Sequence, residues 1–281
     1  MGHRKLLGLS AAAAFAGFAA GAAVSRRLHV KQYTIKSGKL SGSIRLAFVS
    51  DLHSGSYGAH QAGLLDAIAA LEPDAVLFGG DILDDTLPAA PAWELLSAVG
   101  QAYPAYFVLG NHEIRRGGLE VLKQELGRLG VRVLDGKLAY LEAGGQVIQL
   151  GGADDPEEDP ERFWQQMNSL SGQLDRRVFS VLLSHRPEHI ARCLPYGFDL
   201  MLSGHAHGGQ WRIPGLLNGV FAPGQGLFPP YAGGLYPFGR QALLVGRGLA
   251  QNTILVPRVF NPPELVGMIL SPAEQNVEIP R

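Results

Sequence analysis

The sequence predicts an α/β fold on three observations. From residue 44 onward, short apolar runs alternate with stretches that carry apolar residues at helical spacing. The 281 residues are 46% hydrophobic and 17% charged, enough to bury a full-sized core in one large domain or two small ones. Five of the apolar runs finish on a residue able to bind metal, and ligands of open α/β sheets sit outside the carboxyl ends of the strands. Thirty-seven glycines and 18 prolines follow no G-X-Y period, which removes the collagen-like and disordered classes. With a net charge of −1 and no basic run with interleaved aromatics, no nucleic-acid partner is expected. The lone Cys193 excludes a disulfide framework and a four-cysteine zinc site within one chain.

The first forty residues stand apart. A short basic start, with Arg4 and Lys5, precedes 19 uncharged residues from Leu6 to Val24, rich in alanine and glycine. Arg26, Arg27, Lys31, Lys36 and Lys39 follow. As a helix of ~20 residues rising ~1.5 Å each, the run just crosses the hydrocarbon. As a secretory signal it offers Ala20-Gly21-Ala22 for cleavage, and Arg4-Lys5 is a degenerate twin-arginine pair. An anchor with Lys and Arg mostly on its C-terminal side keeps the domain cytoplasmic, whereas cleavage exports it. The expectation is a signal or membrane anchor with a basic linker over 1–40, a single domain over 41–281, and association with a membrane surface on a side left open.

Within the domain, Ile44–Val49 reads as a strand ending at Ser50-Asp51, and Ala59–Leu71 has helical spacing. Ala75–Phe78 is a buried-type strand ending at Gly79-Gly80-Asp81, followed by a helical stretch over Pro91–Ala102. Tyr106–Leu109 ends at Gly110-Asn111-His112, and a helix is expected over Leu119–Leu129. Strand-like segments follow at Val131–Leu134, Leu138–Glu142 and Val147–Gly151. Asp154–Glu161 reads as a solvated acidic loop before a helix at Arg162. Val178–Ser184 ends at His185, and Asp199–Ser203 ends at Gly204-His205. From Gly208 to Gly239 the chain is irregular and contains Trp211, Phe221, Phe228, Tyr231, Tyr236 and Phe238. A loop of this length inside a domain is usually functional. Its aromatics either form an apolar lip for an acyl chain or pack down over the sheet.

The polar residues on the strand ends are Asp51, His53, Asp81, Asn111, His112, His185, His205 and His207, with five of the nine histidines among them. Each short motif carries a glycine or serine that permits close backbone approach. Carboxylates, imidazoles and an amide carbonyl form a mixed oxygen–nitrogen set suited to Mn²⁺, Fe or Zn²⁺. There are more candidate ligands than one metal needs, and two metals ~3.5–4 Å apart would use nearly all of them. A dinuclear hydrolytic centre is the expectation.

Asp51-Leu-His53, Gly80-Asp81-Ile-Leu-Asp84, Gly110-Asn111-His112-Glu113, Ser184-His185 and Gly204-His205-Ala-His207 stand in the order of the calcineurin-like metallophosphoesterase superfamily, which the chain resembles over about residues 44–270. Gly208-Gly209-Gln210 and the tail Pro257–Leu265 look like its membrane-associated phosphodiesterase branch, related to enzymes that cleave the pyrophosphate of UDP-2,3-diacylglucosamine. The resemblance implies a four-layer α-β-β-α metallophosphatase sandwich with the metal site at the carboxyl ends of the strands. It implies Asp51, His53 and His207 on a first divalent metal ion, Asp81 bridging, and Asn111, His185 and His205 on a second. His112 is then the non-ligand histidine that donates to the phosphoryl or leaving oxygen, and Asp84 the residue that orients it.

Two departures matter. Protein phosphatases of this superfamily carry arginine where this chain has Asp85, which argues against phosphoprotein as substrate. Ala206 replaces the usual threonine between the last two histidines, a side chain not expected to ligate. Arg115, Arg116 and Arg186 follow their motifs closely and could bind a second phosphate. Arg186, directly after a candidate ligand, is the substrate-binding candidate. The expected substrate is a phosphodiester or pyrophosphate, lipid-linked or a nucleotide-sugar lipid. The alternatives are a soluble or exported phosphomonoesterase with the same centre, and a non-catalytic scaffold. Oligomeric state is not legible.

Overall fold

The computed structural model describes residues 26–157, 159–251 and 258–273, so the uncharged run at 6–24 lies outside the described residues. In chain order the strands are β1 (His29–Ser37), β2 (Ile44–Val49), β3 (Ala75–Phe78), β4 (Ala105–Phe107), β5 (Val131–Val133), β6 (Leu138–Ala143), β7 (Gln146–Ala153), β8 (Ser180–Ser184), β9 (Leu200–Ser203), β10 (Phe221–Ala222), β11 (Gly226–Leu227), β12 (Gly234–Phe238), β13 (Gln241–Val245) and β14 (Glu264–Pro272). The α-helices are α1 (Ala62–Ala69), α2 (Ala90–Ala102), α3 (Asn111–Arg116), α4 (Leu119–Arg128), α5 (Pro160–Gln173) and α6 (Ile190–Cys193). Among the described residues no helix is long and apolar enough to cross a membrane.

Two six-stranded sheets form, in the orders β1-β14-β2-β3-β4-β5 and β12-β13-β9-β8-β7-β6. Parallel pairing joins β2 to β5 and β7 to β9, because helical crossovers return the chain each time. Side chains alternate across each strand and so divide the core into three slabs. Leu46, Phe48, Leu77 and Tyr106 face Leu150, Val181, Leu183 and Leu202 between the sheets. On the outer face of the first sheet, Val49, Val76, Phe78 and Phe107 meet Leu64, Ile68, Leu96 and Leu126 of the helices. Behind the second sheet, Leu182, Met201 and Val245 meet Phe163, Met167, Ile190 and Cys193. This is the expected four-layer sandwich, and each fully buried Leu or Phe contributes ~1.5–3 kcal/mol. Burial pushes the Cys193 thiol up to about 12, so that it serves packing rather than reaction.

Two expectations need correction. The boundary at residue 40 falls after a strand: β1 pairs in parallel with β14, from His29 opposite Glu264 to Ser37 opposite Pro272. Its lysines suit an exposed sheet edge, and they gave the segment the look of a linker. The tail forms β14, which inserts antiparallel beside β2. The Asp154–Glu161 stretch is not wholly solvated, since Asp154 and Asp155 are buried.

Candidate metal centre

The carboxyl ends of β2, β3, β4, β8 and β9 converge on one point, and all seven expected ligands come with them. After β2, β3 and β9 the chain turns out of extended geometry. Asp51, His53, Asp81, His205 and His207, five of the seven, have φ between 47° and 61°. Such left-handed backbone costs non-glycine residues ~1–2 kcal/mol each and concentrates at functional sites. Bonds between the turns hold it in place: Asp51 N donates to Gly80 O at 3.0 Å, and His53 N to Asp81 O at 3.0 Å. Glycine is required where turns touch. A Cβ on Gly110 would lie 2.2 Å from Asp81 Oδ1, and one on Gly204 2.3 Å from Asp51 Oδ2.

The side chains group as Asp51, His53 and His207 on one side and Asp81, His185 and His205 on the other. Asp81 also lies within reach of His53 and His112, as a bridging position requires. Its Oδ2 is 3.1 Å from His185 Nε2 and 3.7 Å from His53 Nε2. Asn111 is buried at the start of α3, its Oδ1 without a hydrogen-bond partner.

Hydrogen bonds behind the site settle which atoms remain available. His185 Nδ1 donates to the Gly79 carbonyl at 2.7 Å, which leaves Nε2 as the atom directed into the site. His53 Nδ1 donates to Asp84 Oδ2 at 3.1 Å, with the same result. Asp51 Oδ1 accepts from His205 N at 2.8 Å, and Asp81 Oδ1 from His112 N at 2.9 Å. What is left over is Asp51 Oδ2, His53 Nε2, Asn111 Oδ1, His185 Nε2, His205 Nε2 and His207 Nδ1, all buried and without a hydrogen-bond partner. Buried polar atoms are normally satisfied, and five orphans on clustered Asp and His side chains, with a sixth on Asn111 next to His112, fit divalent cations.

Electrostatics agree. Burial would lower the His185 pKa, but the Asp81 and Asp51 carboxylates outweigh it and raise the pKa to about 10. For Asp81, the charge of His185, with Nε2 at 3.1 Å, overcomes burial and holds the carboxyl well below its usual range. Burial pushes Asp51 up, and burial with the charge of neighbouring imidazoles holds His205 and His207 well below the usual histidine range. The carboxylates call for positive charge, while two of the imidazoles stay neutral and ready to ligate.

Two expected roles change. The carboxylate closest to His112 is Asp85, with Oδ1 2.8 Å from Nδ1, while Asp84 Oδ2 is 3.4 Å away and bonds His53 instead. The other oxygen of Asp84 accepts from Thr86 N, Thr86 Oγ1 and Leu87 N, which leaves the carboxylate with a fixed direction. Arg186 is not a free phosphate clamp. Its Nε contacts both Asp155 oxygens at 2.9 and 2.8 Å, and one Nη donates to Glu157 at 2.6 Å. Arg115 is likewise paired with Glu157, and Arg116 donates to Asp84 O. The acidic stretch that looked solvated is what holds Arg186.

Glu113 has a part that its place in the motif did not reveal. Fully buried, it accepts from Asp81 N at 2.8 Å, Ile82 N at 2.7 Å, Leu83 N at 2.9 Å and Gly110 N at 2.8 Å. It thereby ties the turn carrying Asp81 to the turn carrying Asn111. Burial and the Asp81 charge raise its pKa to about 7 against the pull of these donors. Asn261, on the tail, donates through Nδ2 to His207 O at 2.7 Å and braces the last candidate ligand.

Residues 44–209 match the calcineurin-like phosphoesterase family, a span holding every one of these candidate ligands. The chain belongs to that family. Among curated relatives, this phosphoesterase is 28% identical over 213 residues to the phosphodiesterase YaeI of Escherichia coli, covering 73% of this chain and 74% of YaeI. It is 29% identical over 247 residues to YkuE, an uncharacterized metallophosphoesterase of Bacillus subtilis, covering 85% and 84%. A dimetal phosphatase from Danio rerio has a similar fold, with a TM-score of 0.50 at 14% identity over 76% of this chain and 90% of that one. This is a metal-dependent phosphoester hydrolase.

Proposed function

We propose that this phosphoesterase uses two divalent cations to hydrolyse phosphodiester or diphosphate bonds, with a lipid-linked substrate such as a nucleotide-sugar lipid. The observation that carries the two-metal reading is the set of six orphaned donor atoms around Asp81. Asp51, His53 and His207 would hold one cation, Asn111, His185 and His205 the other, and Asp81 both. Mn²⁺, Fe or Zn²⁺ suits this donor set. Bound cations would supply Lewis acidity and an activated water.

The chain's own residues do the rest. Asp84 and Gly79 fix the rings of His53 and His185, so both ligands are aimed before substrate arrives. Asp85 anchors His112 through Nδ1, which frees Nε2 to donate to the leaving oxygen. A diesterase reading accords with YaeI being a phosphodiesterase and with the lack of a free arginine at position 85.

The lipid part rests on where apolar surface lies. Trp211 is 46% exposed, Leu216 82% and Phe228 65%, all on the segment following His207, whereas Tyr231, Tyr236 and Phe238 pack against the core. His29 starts β1 opposite Glu264, at the metal end of the sheet, so the basic residues Arg26 and Arg27 enter the fold on that same end. A membrane surface would then meet both.

Initial rates on bis-(p-nitrophenyl) phosphate and p-nitrophenyl phosphate, before and after chelation, test the diesterase. A metal-dependent preference for the diester is expected. A preference for the monoester would favour the phosphomonoesterase, and rates untouched by chelation would remove the metal reading. For the lip, Trp211→Ser with Phe228→Ser should slow a lipid-linked diester more than a small soluble one. Equal slowing would end the lipid reading.

A further inference from the structure

Arg258 is the most anomalous charged residue in the described chain. It is 4% exposed, yet Nε, Nη1 and Nη2 all lack a hydrogen-bond partner among the described residues. Its position is fixed by its neighbours. Val259 N donates to Gln210 O at 3.1 Å and Arg212 N to Val259 O at 3.0 Å, which lays Arg258 beside the loop that follows the ligand His207. Asn261 closes the other side through His207 O and Gln210 O. Glu264 N bonds Gly248 O, and a Cβ on Gly248 would lie 2.6 Å from Asp51 Cβ, so this tail lines the flank of the metal centre.

Two further arginines join it. Arg247 Nε stands 3.2 Å from Glu264 Oε2, and the Arg247 stem and Arg212 Nη1 flank Gly233. Arg212 Nη1 has no hydrogen-bond partner either, although its other nitrogen reaches Asn218. The region thus sets three guanidinium groups against two buried carboxylates, Glu264 and, at Arg258, Asp51. Burial lowers Arg212 and Arg258 to about 10, the Asp51 charge opposing this at Arg258, so both stay charged at neutral pH. The Asp51 charge alone does not balance Arg258, because cations at the metal centre would claim it. Leaving a guanidinium buried without hydrogen bonds costs several kcal/mol unless an anion completes the site.

We infer that Arg258, backed by Arg247 and Arg212, forms an anion subsite beside the metal centre that takes a second phosphoryl group of the substrate. The inference rests on the two-metal reading above and deepens it. It selects substrates that carry another phosphate next to the scissile one, a diphosphate above all. The planar fork of Arg258 suits two phosphoryl oxygens at once. This replaces Arg186, whose fork is already taken by Asp155 and Glu157.

The test is calorimetric binding of methylenediphosphonate and methylphosphonate to the metal-loaded full chain and its variants. Wild type should bind the diphosphonate at least about 10-fold more tightly, since a charge-assisted bond is worth about 1.5–3 kcal/mol. Arg258→Gln should shrink that advantage to about 3-fold or less, with metal content retained, and Arg258→Lys should fall between because it keeps charge without the fork. Arg177→Gln, at an exposed site paired with Asp175, should match wild type. An undiminished advantage in Arg258→Gln would overturn the proposal. So would the absence of any advantage in wild type, a result that needs no variant to fold. If wild type cleaves phosphodiesters with metal but shows no diphosphonate advantage, this subsite alone is lost. No metal-dependent cleavage at all would sink the two-metal reading and the subsite with it.

Discussion

Glu113 offers the sharpest perturbation of the scaffold behind the metals. Glu113→Gln keeps size and burial but replaces one carboxylate oxygen by an NH₂ group. Of the four backbone N–H groups now bonded at 2.7–2.9 Å, two would face a donor instead of an acceptor. Each abandoned buried N–H costs about 1–3 kcal/mol, which gives about 4 kcal/mol in all. For a chain of this size that is a fall in Tm of about 8–16 °C. Denaturant unfolding in the presence of chelator measures the loss without metal linkage, and elemental analysis without chelator should show reduced metal, because the turns of Asp81 and Asn111 come apart. Glu113→Ala, which leaves all four N–H groups unpaired and opens a cavity, should be worse. A stability change within about 0.5 kcal/mol for Glu113→Gln would refute the reasoning, because surface substitutions already give that much.

Other outcomes follow from the same geometry. Asp84→Asn should weaken metal binding about 10–100-fold by removing the carboxylate behind His53, read as the midpoint of a metal titration. Asp85→Asn should leave metal content intact and slow substrates with poor leaving groups more than nitrophenyl esters, since only the former need the proton that His112 gives; equal slowing across a leaving-group series would contradict this. Asp154 is buried, and burial followed by its Asp135 neighbour raises its pKa to about 7 from an unfolded value of about 3.9. The native state therefore binds a proton that the unfolded chain has released, so stability falls as pH rises from about 4 to 7. Asp154→Asn should flatten that slope and raise Tm at pH 8 with no benefit below pH 4, and parallel Tm–pH curves for the two proteins would refute the assignment.

How much of this was legible follows from what each feature depends on. The candidate ligands were readable because tight turns at strand ends favour glycine, serine or short polar residues, and five apolar runs end on such residues, three of them in left-handed turns. Asp84 and Asp85 could not be told apart, since neighbours in sequence differ only in which way the turn points them. Arg186 misled because its partners Asp155 and Glu157 lie about thirty residues upstream in a stretch that reads as solvent-facing. Strand β1 hid behind its lysines, and β14 behind a proline-rich approach whose pairing with β2 is more than two hundred residues distant in sequence. Arg258 was invisible because nothing in its local sequence announces burial without a partner.

The most direct measurement of the central claim is elemental analysis of the purified chain, with diesterase rate followed through chelation and return of Mn²⁺ or Zn²⁺. The two-metal proposal calls for about two metal ions per chain, activity that disappears and returns with them, and loss of both metal and activity in Asp81→Asn. A folded protein that binds no metal, or that cleaves diesters equally well in chelator, would contradict it.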